Sequence, residues 1–297
     1  MSNTSGSQAH RRLEPLRRFA QSKSAVVGAT GLLILIVVAV FAPLIAPFDP
    51  NAQSGGSLLG PSGGHLLGTD QLGRDILSRM IHGARASLIA AAGAVVVGAG
   101  IGVPLGLLAG YLGRWVDAIA MRFVDLLLAV PGILLALVMI VALGSGRLNL
   151  VLAIGIGAVP EFARLTRVAT LEIRDRDFVL AARGMGASTP DTLVRTVLPN
   201  VLGPIVIQVV VTASMAVVVE AGLAFLGLGT PPPAPSWGGM LQDARSYLYQ
   251  SPSYGLFPGL CLVATVFCLD RIGRGLRLAV SGAGRQAAAN VTTGGAV

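Results

Sequence analysis

The chain has 297 residues, 53% of them hydrophobic and only 12% charged, with a mean hydropathy of +0.74. A soluble domain carries about 25% charged residues, so a single water-soluble core is excluded, and the long apolar runs are those of a polytopic membrane protein. The net charge of +8 would raise nucleic acid as a partner for a soluble protein, but here the placement of the charges decides.

In chain order, residues 1–23 form a basic tail with Arg11, Arg12, Arg17, Arg18 and Lys23. The first run free of Asp, Glu, Lys and Arg is 24–48, read as a spanning helix over 24–46 and followed by an external segment, 47–84. Residues 85–278 form the core, with five further spans drawn from the charge-free runs 86–113, 126–146, 148–160, 196–219 and 246–269. The last stretch, 279–297, is rich in small and polar residues and is expected to be a disordered tail. About 20 apolar residues cross a bilayer. A lone backbone in lipid must satisfy its own hydrogen bonds, so these runs predict helices. The run 148–160 is short for a span, and the charge distribution argues that it crosses nonetheless. With six spans, seventeen of the 22 Lys and Arg residues fall on one side, including all those from Arg164 to Arg195. Basic residues mark the cytoplasmic face. The expectation is an all-α integral membrane protein with six transmembrane helices and both termini cytoplasmic. The competing reading of the N-terminus is a cleaved signal peptide, whose apolar region of about 7–15 residues would be shorter than this one.

Several chemistries lack their residues. There is no GxxxxGKS or GxxxxGKT phosphate loop, no HExxH and no GxSxG. His10, His65 and His82 are dispersed, so no metal site is expected. Cys261 and Cys268 would stand about 10 Å apart along one helix, too far for a disulfide. Ionisable residues inside the spans are almost missing, which weighs against a self-powered channel or secondary carrier and suggests energy supplied by a partner. No catalytic residue is expected.

Residues 160–199 are the long polar stretch between spans. Phe178, Val179, Ala181, Ala182 and Met185 have helical spacing, and Gly184 and Gly186 end that helix. Thr189 followed by Pro190 reads as an N-cap with Pro at the first helical position of a second short helix, whose apolar face is Leu193, Val194 and Val197. The pair can be a solvated amphipathic loop, a helix-turn-helix for DNA, or a docking element whose small turn residues admit a partner. The DNA reading conflicts with its position between two spans. In the docking reading, Arg183 and Arg195 are placed to meet carboxylates.

Two further stretches carry information. Gly68-Thr69-Asp70 reads as a turn with Asp70 capping a following helix, and Asp70 can pair with Arg74 four residues on. Pro231-Pro232-Pro233 and Pro235 predict a stiff segment, beside which Trp237 suits the outer interface belt. Glu220 lies at the end of an apolar run. It is either a structural hydrogen-bonding group or a carboxylate on a substrate path, and in both cases it must face protein or water.

Leu180-Ala181-Ala182, Gly186 and Leu198-Pro199 resemble the EAA signature (EAA, three residues, G, nine residues, I-x-LP) of membrane subunits of ATP-binding cassette importers. Leu180 stands where the signature has Glu, and Thr196 where it has Ile. Residues 65–88, with Gly68, Thr69, Asp70, Gly73, Arg74 and Asp75, resemble the GTDxxGRDxxSR segment of the dipeptide, oligopeptide and nickel permease group, in its C-type subunit. Residues 220–241 and the Phe257-Pro258-Gly259-Leu260 start of the last span are similar to the same group. The resemblance implies a type I importer permease fold in the bacterial cytoplasmic membrane. It implies coupling helices at about 174–198 that seat on an ATPase through Phe178, Leu180, Ala181, Ala182, Arg183, Met185, Gly186, Ala187 and Ser188. The partners implied are a second permease subunit, two ATPase subunits that hold the ATP and magnesium, an extracytoplasmic binding protein and the lipid bilayer. This chain would hold no cofactor and bind no nucleic acid. The expected cargo is short peptides, with nickel or another small solute as the alternative.

Overall fold

The computed structural model describes residues 19–293, with side chains through Val280. The basic tail before Phe19 lies outside the described residues. Those described are mostly helical and contain no strand, only the isolated bridges Gln53–Arg74 and Thr69–Asp75. Five helices are long and apolar enough to cross a membrane. They are α1 (Lys23–Val40), α3 (Ile76–Leu112), α6 (Arg147–Ile173), the continuous stretch Thr189–Phe225, and α11 (Pro252–Thr293), of which Pro252–Val280 qualifies. The short α2 (Ala42–Ile45) follows α1.

The remaining span departs from the expected single helix over 126–146. It is a pair, α4 (Arg114–Leu128) and α5 (Gly132–Leu143), bent by 85° at the break. Pro131 explains the break. It lacks an N–H, sits at the α5 N-cap with φ −52 and ψ 130, and steers the residue before it away from helix. Counting the bent pair as one span gives six.

Other boundaries moved because helices do not stop where charges begin. The second span starts at Ile76, not at 85, so Arg79 and Arg85 are helical. The short run 148–160 is part of a 27-residue helix that passes through Pro160, about 40 Å long and ample for a bilayer. The stretch from 279, expected to be disordered, continues α11 as a helix to Thr293.

The bundle is organised by a glycine seam. Gly98, Gly102, Gly106 and Gly110 recur every fourth residue on α3 and so share one stripe. This stripe lies on α6. A Cβ on Gly102 would stand 2.6 Å from the Val159 carbonyl oxygen, and one on Gly110 would stand 2.8 Å from that of Arg167. In lipid, burying apolar surface drives helices together only weakly, and close backbone approach through small residues supplies the packing. Next to this seam, Leu107, Phe162, Val179, Leu193, Val197 and Val201 form one buried apolar cluster. Ala94, Ile140, Leu150, Ile154, Val217 and Leu269 form another. Outward residues such as Val96, Val141 and Leu33 are apolar and exposed, the inversion a hydrocarbon solvent requires.

Candidate functional site

At one end of the bundle α7 (Asp177–Gly184) leaves the membrane helices and ends in a tight turn. The Ala187 N–H reaches back to the Ala182 carbonyl at 3.2 Å, and the Gly186 N–H reaches Arg183 at 3.0 Å. Together these two bonds make a Schellman motif, and its left-handed position is Gly186, with φ +85. The helix end read at Gly184 and Gly186 is therefore correct. Val179 is fully buried and pins α7 onto the apolar cluster of α3 and α6. Its neighbours Phe178 and Leu180 flank it at 45% and 46% exposure, and Met185 at the turn is 83% exposed. A Cβ on Gly186 would meet nothing within 4 Å, so the turn opens outward. Ala181, Ala182, Ala187 and Ser188 complete this projecting element, all at its surface or half-buried. The Arg183 guanidinium lies 5.8 Å from the Tyr111 ring centroid, and Arg195 pairs with Asp191 at 3.0 Å, so each cation has a neighbour in this chain.

The second half of the element differs from expectation. The N-cap is Ser188, not Thr189: the Asp191 N–H donates to its Oγ at 3.4 Å. The helical turn α8 (Thr189–Asp191) does not end as a separate short helix. It runs through a π-helical turn, Thr192–Val197, into α9 (Leu198–Phe225). The projecting turn is thus joined to a spanning helix without an intervening loop.

At the other end, residues 48–79 fold around buried charges. Asp70 does not cap α3. Its Oδ1 accepts the Leu72 and Arg74 N–H groups at 2.8 and 3.0 Å, and its Oδ2 accepts Arg74 Nε at 2.6 Å. Arg79 adds a second cation 3.4 Å from Oδ2. The Asp70–Arg74 pair read from its spacing is present, but on a turn rather than a helix. The cap of α3 is Asp75, whose Oδ2 accepts the Ser78 N–H and hydroxyl at 2.8 and 2.7 Å while Oδ1 holds His65 Nδ1 at 2.9 Å. Thr69 donates to the Gly56 carbonyl at 2.6 Å. Gly68 and Gly73 have φ +86 and +76, and a Cβ on either would strike the backbone of the 55–60 strip. Nearby, α10 (Trp237–Ala244) places Trp237 inside rather than at an interface belt: it is 1% exposed and donates its indole N–H to the Met80 carbonyl at 2.9 Å.

Glu220 is enclosed rather than open to a path. It is fully buried between α9 and α3, with Oε2 accepting the Ser87 hydroxyl at 2.9 Å. An unexpected polar group lies elsewhere, where Gln208 on α9 donates to Glu161 on α6 at 2.8 Å. The sequence signal for it was present. Glu161 closes the charge-free run 148–160, and counting it as a boundary hid its position inside a spanning helix. Among the described residues no group of three or more His, Cys, Asp or Glu could hold a metal ion.

Comparison with known proteins agrees with this arrangement. Residues 102–281 match the family described as the binding-protein-dependent transport system inner membrane component, and residues 14–61 match the N-terminal TM domain of oligopeptide transport permease C. The chain is 42% identical over 266 residues to a di/tripeptide transport system permease protein, DppC, of Pseudomonas aeruginosa, covering 87% of this chain and 88% of that one. It is 43% identical over 263 residues to a glutathione transport system permease protein, GsiD, of Pectobacterium atrosepticum, covering 88% and 87%. In fold it is similar to an inward-facing structure of the MetNI methionine ABC transporter, at a TM-score of 0.56 and 22% identity over 69% of this chain and 97% of that one. The chain belongs to the family of inner-membrane permease components of binding-protein-dependent transport systems.

Proposed function

We propose that this chain is the C-type permease subunit of an ATP-driven importer of short peptides. The observation that carries the energy-coupling part is the projecting α7 turn, with exposed apolar side chains at Phe178, Leu180 and Met185 and continuity through α8 into α9. A stretch of 297 residues without a phosphate loop has no ATP chemistry of that kind of its own. Two partner ATPases would hold ATP and magnesium, grip this turn, and move α9 as they close, giving alternating access with a second permease subunit. An extracytoplasmic binding protein would deliver the cargo at the opposite end. The chain itself makes and breaks no covalent bond. Peptide cargo is supported by the relatives named for di/tripeptide and glutathione transport.

The test is uptake in a deletion strain carrying this chain or Gly186→Val. Wild type should restore uptake of labelled di- and tripeptides and not of nickel, and nickel uptake alone would replace the peptide reading. Gly186 holds φ +85, which a β-branched residue adopts only with strain. The variant should reach the membrane, lose co-purifying ATPase and fall below about a tenth of wild-type uptake, a loss of roughly 1.4 kcal/mol in seating. Near-normal uptake would remove the docking role of the turn.

Orientation has its own test. Ser54 and Thr189 are exposed at opposite ends of the fold. In a background of Cys261→Ala and Cys268→Ala, Ser54→Cys should react with an impermeant thiol reagent in intact cells and Thr189→Cys only after permeabilisation. Reaction of both from one side would reject the six-span topology with cytoplasmic termini.

A further inference from the structure

A cargo path needs polar groups on its wall, and one set of them lines a cavity between the helices. Glu161 stands fourteen positions after Arg147, the start of α6, and twelve before its end at Ile173. This is about 21 Å from one end of α6 and about 18 Å from the other, and one helical turn before Arg164. Its neighbours Phe162 and Ala163 are buried toward α3, whereas Glu161 is exposed on the opposite face. There it lines a cavity of about 290 Å³ together with Ile133, Gly157, Thr212, Met215 and Val219. Gln208 donates to Glu161 Oε2 at 2.8 Å, with its amide nitrogen 3.3 Å from the Thr212 hydroxyl.

The charge balance around this carboxylate is distinctive. The next cations on α6 are each answered by an acid of α4: Arg164 meets Asp125 at 2.6 Å, and Arg167 meets Asp117 through two bonds, one of 2.6 Å. Among the described residues Glu161 meets no cation and receives only the neutral Gln208 amide. A carboxylate on a spanning helix is costly and persists where it faces a cavity or a partner charge. The break between α4 and α5 adds to the site, since the first residues of α5, Gly132 and Ile133, line the same cavity. Irregular backbone at membrane depth occurs where it lines a cavity, and the first amides of a helix lack intrahelical acceptors, so they are donors for a carbonyl.

We infer that Glu161, Gln208 and Thr212 form a recognition site, on a cavity within the helix bundle, for the ammonium end of a peptide in transit. The carboxylate accepts the ammonium protons, Thr212 and the amides of the α5 first turn meet the peptide backbone, and Met215 and Val219 cover its apolar part. This rests on the peptide-import reading above.

The experiment uses the assembled transporter in proteoliposomes with its binding protein and ATP. Uptake is compared for a labelled dipeptide with a free amino terminus and for its N-acetylated form. The binding protein is common to both arms, so a change in the ratio of the two belongs to the membrane subunit. Glu161→Gln should lower the free-to-acetylated ratio about tenfold, the scale of one charge-assisted hydrogen bond. An unchanged ratio overturns the inference. If the wild-type complex imports neither peptide, the peptide reading has failed and a cargo-independent arm decides the site. Met215→Cys, in the background lacking Cys261 and Cys268, is modified with cationic aminoethyl and anionic sulfonatoethyl methanethiosulfonate. The cation should react about tenfold faster than the anion when Glu161 is present, and this preference should collapse with E161Q. Equal preference in both overturns the site. Loss of the second permease from purified E161Q complexes would also overturn it, by assigning the carboxylate to the subunit interface.

Discussion

Gly102→Val is expected to destabilise the helix bundle by about 3 kcal/mol, the upper end of overpacking costs. The reason is the nature of the obstacle. A Cβ at this position lies 2.6 Å from the Val159 carbonyl oxygen and 2.6 Å from the Phe162 Cβ. Neither can swing aside as the tip of a long side chain could, because one is backbone and the other is the root of a fully buried ring. The α3–α6 seam would have to part along its length, giving up close contacts at Gly98, Gly106 and Gly110 as well. Gly100, two residues away, provides the contrast, since a Cβ there meets nothing within 4 Å. Gly100→Ala is expected to leave stability equal or slightly raised, because Ala is the better helix former. Both variants are to be heated in detergent, and the fraction remaining monodisperse recorded. Equal melting of Gly102→Val and wild type would mean that α3 and α6 are not packed at this distance.

Asp70→Ala is expected to unfold the segment 48–79, at a cost of about 3–5 kcal/mol, the penalty for breaking a buried ion pair from one side. Asp70 is fully buried, and Arg74 and Arg79 beside it are 7% and 4% exposed. Removing the carboxylate strands two guanidiniums and frees the Leu72 and Arg74 N–H groups that Asp70 now accepts. Asp70→Asn can still accept those backbone bonds but carries no charge, so it should fall between the two. Protease added to intact spheroplasts should cut between residues 48 and 79 in Asp70→Ala, more slowly in Asp70→Asn, and hardly at all in wild type. Equal resistance of all three would show that the cluster does not hold the segment together.

Membrane residence and helicity were legible because they depend on sums. Hydropathy over about 20 residues does not require knowing what touches what. The α7 turn was legible for a local reason, since a helix end with glycine at the left-handed position involves only residues 182 to 187. The breaks and extensions were not equally plain. Pro131 splits a run that looks continuous by composition, while Pro160 leaves α6 unbroken. The two prolines differ in context: α6 is held along α3 by the glycine seam, whereas the break at Pro131 opens onto a cavity.

The side-chain assignments divide in the same way. Spacing predicted that Asp70 and Arg74 meet, and they do, but capping chemistry alone could not choose between Asp70 and Asp75 as the cap of α3. That choice depends on Ser78 and His65 converging on Asp75 through folding of the whole segment. Glu220 and Glu161 are both single acids within or beside apolar runs. Sequence pattern alone singled out Glu220, yet the tertiary structure seals it against Ser87 and leaves Glu161 open on a cavity formed by α5, α6 and α9. Composition and local propensity thus determined that the chain spans the membrane and where its projecting glycine turn lies. Which carboxylate faces protein and which faces a cavity was decided only by helix rotation, because rotation is set by the contacts of the opposite face, here the glycines of α3 against α6.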